Sequence, residues 1–310
     1  MNAGMKMPWI MLILLFPIMG VCLYLFCGHS SATKGMRKRF HATWERLRVD
    51  LRKDDPAMEK LKVQDVTAYH QCYYIGHKVG YPLYENTDVV FYKEAADGFH
   101  AQIEEMKKAQ KFIFMEYHAI EDREAFAEMK AVLFAKAKEG VEVRIVYDDV
   151  GSVGFISPEF VKQMKTHGID CRIFNPMMPV LNIFMNNRDH RKITVIDGRV
   201  GFTGGYNLAN EYFNITHPYG VWKDSGVRLE GEAVRSLTLI FMEMWNAIRD
   251  TDTEYEKYLP DGVFEAKGGG YVQPYADSPL DRERVGENVY MNIIKGATEY
   301  VYFITPYLII

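Results

Sequence analysis

Cysteine is scarce in this 310-residue chain. Cys22 and Cys27 lie inside an apolar run, Cys72 and Cys171 stand alone, and no Cys-x-x-Cys pair occurs. A disulfide framework is thereby excluded, and the body of the chain suits a reducing, cytosolic compartment. A dominant charge is also missing. The 37 Lys and Arg against 41 Asp and Glu give a net −4, unlike the strongly basic balance of a general nucleic-acid binder. Low-complexity sequence is absent too, and 48% hydrophobic residues rule out a disordered or collagen-like chain. The length permits about two domains.

What is present is unevenly placed. Residues Pro8 to Cys27 form twenty uncharged positions, enough for a helix to cross the roughly 30 Å hydrocarbon core. The run is longer than a signal-peptide core and lacks a small-x-small cleavage site. It therefore predicts a retained single-pass transmembrane helix, with Trp9 and Tyr24 as interface anchors. Eight Lys and Arg against two acids between Lys34 and Lys53 place the following domain in the cytoplasm, either as stop-transfer charges or as a collar on anionic headgroups.

Beyond Val89 the pattern is α/β. Helices are predicted over Ala95 to Ala109, Glu124 to Lys138 and Pro158 to Thr166, the last two closed by Gly140 and Gly168. Strands are predicted over Lys111 to Tyr117, VEVRIVYDD and IDCRIF. Such alternation implies a largely parallel sheet covered on both faces. The stretch from Ala101 to Ile120 is similar to that from Val289 to Ile310, a helix followed by an aromatic-rich strand. This reads as an internal repeat whose second unit stops at its first strand.

The chemistry is concentrated in NRDHRKITVIDGRVGFTGGYN. His190-x-Lys192, Asp197 and Gly204-Gly205-x-Asn207 lie at fixed spacing within 18 residues, a coincidence expected with probability on the order of 10⁻⁵ at ordinary residue frequencies. HRKITVI alternates as a strand, so His190 and Lys192 share a face. Asp197-Gly198 suits a hairpin turn, and the two glycines would let backbone approach a ligand. An imidazole nucleophile beside a fixed cation and an amide donor suits phosphoryl transfer. Singly, each residue is as well explained by structure; the joint spacing is what favours chemistry. His118, His167 and His217 lack metal-ligand spacing and receive no role.

At these residues the chain resembles the phospholipase D superfamily, whose HxKxxxxD motif is matched by His190, Lys192 and Asp197 and whose GGxN extension is matched by Gly204, Gly205 and Asn207. It is similar above all to bacterial cardiolipin synthases, from the apolar N-terminal run through EYHAIED, GVEVRIVYDDVGS and VWKDSGVRLEGEAV to ITPYLI. The resemblance implies a phospholipase-D-like mixed or parallel sheet flanked by helices. It implies a metal-independent, cofactor-free phosphatidyl transfer between two phosphatidylglycerol molecules through a phosphohistidine. In that scheme His190, Lys192 and Asp197 are catalytic, Lys192, Asn207, Gly204 and Gly205 bind phosphate, and Asp224 orients the histidine. Anionic phospholipid and membrane are the implied partners, with no nucleic acid. The expected organisation is an anchor over 1–33, a basic juxtamembrane and linker region over 34–94, a first phospholipase-D-like domain over 95–268 and the start of a second over 269–310. Family members carry two HxKxxxxD motifs and this sequence has one, so the 310 residues are expected to be weak or inactive alone. A homodimeric single-motif phosphodiesterase and a non-catalytic anionic-lipid-binding module are the competing readings.

Overall fold

Apolar residues alternating with a period of two along five- to seven-residue runs set the strands, because each run must bury both of its faces. In Phe112–Tyr117 (β2), Phe112 and Phe114 enter one core and Ile113, Met115 and Tyr117 the other. The computed structural model describes residues 3–27, 32–51, 56–176, 187–252, 254–260, 262–281 and 283–305. Its centre is a seven-stranded sheet of Thr87–Tyr92 (β1), β2, Glu142–Asp148 (β3), Asp170–Phe174 (β4), Lys192–Ile196 (β5), Val200–Gly204 (β6) and Gly226–Gly231 (β7), in the order β1-β7-β6-β5-β2-β3-β4. The sheet thus takes in residues N-terminal to the expected boundary at Ala95.

Only β2 with β3 and β3 with β4 pair in parallel; the other four pairings are antiparallel. The expectation of a largely parallel sheet is corrected accordingly. Crossover helices exist only where the sequence supplies them, at Glu124–Lys138 (α7) and Pro158–Thr166 (α8), whereas β5, β6 and β7 follow one another as a meander with no helix longer than one short turn between them. Together with Ala95–Lys107 (α6), α7 and α8 cover one face through Ile103, Met106, Phe126, Leu133 and Phe160. Gly140 and Gly168 close α7 and α8 at φ 93° and 79°, a backbone region that glycine enters without a Cβ penalty.

The other face is covered by Val234–Ile248 (α9), buried at 13 of its 15 positions. A helix buried all round needs a cover on its outer side as well, and Ala32–Leu51 (α3) supplies it. Met36, Phe40, Thr43 and Leu47 form its buried stripe. Arg39 donates to the carbonyls of Ala247 and Ile248, both at 2.9 Å, capping the C-terminal end of α9, and Arg46 meets Asp250 at 3.1 Å. The basic segment expected at the membrane surface therefore packs, in part, as an outer layer of the body.

The single transmembrane helix is not found. The apolar run divides at Phe16 into Ala3–Leu15 (α1) and Pro17–Cys27 (α2), with Pro17 at the first helical position, where its missing N–H is harmless. The two fold back on each other. Trp9 and Tyr24 meet edge to face at 5.4 Å, and a Cβ on Gly20 would lie 2.7 Å from the Ile13 Cα. At 13 and 11 residues they measure about 20 and 16 Å. Among the described residues no helix is long and apolar enough to cross a membrane, which overturns the expected single-pass anchor and the localisation built on it.

C-terminal to α9, Val272 pairs with Tyr84, and Leu280, Val285 and Val289 join the core that contains α9. The helix expected in the second repeat is present as Val285–Gly296 (α10). The strand expected after it is not assigned among the described residues, where 298–299 bend and 300–305 take no regular structure; positions 306–310 lie outside them.

Candidate active site

One edge of the sheet collects the polar residues. Because β5 runs antiparallel to β2, β6 to β5 and β7 to β6, the starts of β5 and β7 and the ends of β2, β3 and β6 all reach that edge. This brings together His118, Asp148, His190, Lys192, Asn207 and Asp224, which span more than a hundred residues of sequence.

His190 sits in the loop before β5, not on the strand as the alternation suggested, and its side chain is exposed while Lys192 is buried. The Lys192 Nζ donates to the His190 carbonyl at 2.8 Å. The His190 ring is unfavourable to charge: desolvation by the surrounding wall, then Lys192, then His118 push it down to about 4. Burial pushes Lys192 down to about 8 against the opposing pull of Asp189 and Asp224. The pair at neutral pH is thus a neutral imidazole beside an ammonium. Asn207, also buried, accepts from the Ala119 N–H at 3.1 Å and donates to Tyr212 Oη at 2.7 Å, so it holds the end of β2 as well as facing this edge.

Several of the expected site positions make structural contacts. Asp197 lies at the opposite end of β5, far from His190. Its Oδ2 accepts from the Gln110 N–H at 2.8 Å and its Oδ1 from the Lys111 and Phe112 N–H groups at 2.8 and 2.9 Å. It is a clamp on the start of β2, and with Gly198 it forms the expected turn at φ 53° and 67°. Gly204, which lines the cleft beside His190, and Gly205 are both tightly backed. A Cβ at 204 would meet the Ser225 carbonyl at 2.6 Å and one at 205 the Asp224 Oδ1 at 2.1 Å, so both glycines serve close packing of β6 against the approach to β7. Asp224 accepts from Ser225 N–H at 2.8 Å and Trp222 Nε1 at 3.3 Å, and no hydrogen bond among the described residues joins it to His190.

The loop carrying His190 is fixed instead by residues without an expected role. Asp148, fully buried, accepts from the backbone of Val150, Gly151 and Asp189 at 3.0, 3.1 and 2.9 Å and from Arg188 at 3.2 Å. Arg191 meets the buried Glu116 at 3.2 Å, whose carboxyl is raised by burial and by the adjacent Asp189. The signal for them was a polar residue ending or interrupting an otherwise apolar strand, in FIFMEYH and RIVYDD. Beside His190 opens a cleft of about 970 Å³ lined by Arg188, Asp189, His190 and Lys192 together with apolar residues such as Val227, Leu237 and Ile240, a mixed lining that could take an amphiphile carrying a phosphate.

Residues 102–245 match the family model described as "Cardiolipin synthase, PLD-like domain". A protein of Streptococcus mutans described as uncharacterized is 38% identical over 97% of this chain and 65% of its own length. A cardiolipin synthase of Alkalihalophilus pseudofirmus is 30% identical over 98% of this chain and 60% of its own. The chain thus spans about 60–65% of the length of these relatives. Among solved structures, Nuc of Salmonella typhimurium, a phospholipase D family member, is 19% identical, covers 55% of this chain and 100% of its own, and has a TM-score of 0.40.

Proposed function

Because residues 102–245 match the cardiolipin synthase, PLD-like domain model, we propose that the chain supplies the nucleophilic half of a phosphatidyl transfer between two phosphatidylglycerol molecules. A ring nitrogen of neutral His190 attacks phosphorus, the bond from phosphorus to the headgroup glycerol oxygen breaks, and glycerol leaves after taking up a proton. The hydroxyl of a second phosphatidylglycerol then attacks the phosphohistidine and loses its proton, giving cardiolipin and restoring the imidazole. Lys192 balances charge on the non-bridging oxygens. The observation that carries this reading is the neutral His190 beside buried, cationic Lys192, both lining one cleft.

The proton given to glycerol and taken from the second hydroxyl needs an acid-base group, which the family resemblance assigns to a second HxKxxxxD motif. The 310 residues alone are accordingly expected to form the adduct and turn over weakly. Incubation with phosphatidylglycerol vesicles, acid quenching and peptide mass spectrometry should find a phosphatidyl adduct on His190, abolished in His190→Gln. Its yield should fall as pH drops through about 4, where the imidazole takes up a proton. Absence of both adduct and cardiolipin in the parent chain would sink the reading.

A further inference from the structure

His118 follows the last residue of β2 and had no role in the sequence. Its Nδ1 lies 2.7 Å from the carbonyl oxygen of Asp189, the residue before the nucleophile. A carbonyl only accepts, so Nδ1 carries the hydrogen. The ring stands against that of His190, with centroids 4.7 Å apart at 55°. Its space exists because residue 151 is glycine: a Cβ there would lie 2.7 Å from both Cε1 and Nε2 of His118. The Gly151 N–H is in turn held by Asp148, whose carboxylate is 4.0 Å from His118 Nδ1 and also receives the Asp189 N–H. Asp189, the residue before the nucleophile, is therefore held at both of its backbone polar groups, its carbonyl by His118 and its N–H by Asp148.

We propose that His118 is a positioning residue for His190: it locks the peptide before the nucleophile, walls one side of its ring and disfavours a positive charge there. After burial and Lys192, it is the third influence that keeps the His190 ring neutral. The charged groups around the pair are Lys192 on β5, Arg188 and Asp189 in the His190 loop, Asp148 at the end of β3 and Asp224 before β7. Lys192 adds to the repulsion felt by His190, whereas Asp148, tied to Arg188, lies on the His118 side. The proposal rests on His190 being the nucleophile.

Nuclear magnetic resonance of the full chain, labelled at histidine Cε1, tests it without a lipid. His118→Asn places an amide nitrogen where Nδ1 was, keeping the donor to Asp189 while removing the rest of the ring. It should keep the melting temperature and raise the His190 midpoint by about one pH unit. His118→Ala should raise the midpoint and also speed amide exchange in the loop. A midpoint unmoved in His118→Asn overturns the proposal. If that variant does not fold, an unmoved midpoint in His118→Gln overturns it equally. A shifted midpoint with no phosphatidyl transfer would leave this inference standing and remove the transfer reading; transfer with an unmoved midpoint does the reverse.

Discussion

Lys192 has a relative exposure of 5% and an ammonium that burial disfavours, held in place by the His190 carbonyl. Its ordinary value near 10.5 falls to about 8, so at pH 7 the charged side chain costs the native state about 3 kcal/mol. Between pH 8 and 10.5 the folded protein has released this proton while the unfolded chain still holds it, so this residue makes stability rise with pH across that window. Lys192→Met should therefore melt at higher temperature at pH 7, lack that component of the rise, and form no phosphatidyl adduct. Calorimetry at several pH values checks the first two, and a destabilised Lys192→Met would show that the ammonium is well compensated where it lies. At this scale the sequence was most informative about His190 and Lys192, whose spacing is local. His118, Asp148 and Glu116 were not legible, because their partners come from other strands and no spacing along the chain records a hydrogen bond between residues 118 and 189.

For the elements, helices α7 and α8 stand where apolar spacing and the following glycines placed them, at Glu124–Lys138 and Pro158–Thr166. The direction of the sheet was misjudged because alternation of helix and strand holds only from β2 to β4. The connection from β5 to β6 is a three-residue turn that allows antiparallel pairing alone. The apolar N-terminal run was misjudged for a different reason: hydropathy counts apolar residues but does not register that Pro17 can begin a second helix. The Asp197 clamp belongs to this scale. Asp197→Asn would turn an amide N–H toward one of the backbone N–H groups that the carboxylate accepts, and should cost about 1–3 kcal/mol. Adduct formation per folded molecule should be unchanged, since the residue sits at the far end of β5. Loss of adduct in a fully folded variant, judged by melting curves and mass spectrometry together, would return Asp197 to the chemistry.

Across the whole molecule, α3 is the least anticipated layer. Its Met36, Phe40, Thr43 and Leu47 recur at helical spacing, a stripe that the surrounding Lys and Arg obscured. Arg39→Ala removes two hydrogen bonds to the end of α9 and should destabilise the protein by about 1–2 kcal/mol. Hydrogen exchange should then quicken in α3 first, and equal quickening throughout the sheet would mean that α3 is no separate layer. The sheet also gives the spacing of the HxKxxxxD segment a geometric meaning. Lys192 begins β5 at the edge that holds His190, and Asp197 follows its last residue at the edge that pins β2. The four residues between them make the interval about 17 Å at the usual strand rise, the depth of the sheet at this point. The motif is thus a length gauge, one strand long. Adding or removing one residue within it would turn Lys192 toward the wrong face or leave β2 unpinned, so its spacing is set by the thickness of the scaffold as firmly as its end residues are set by the chemistry.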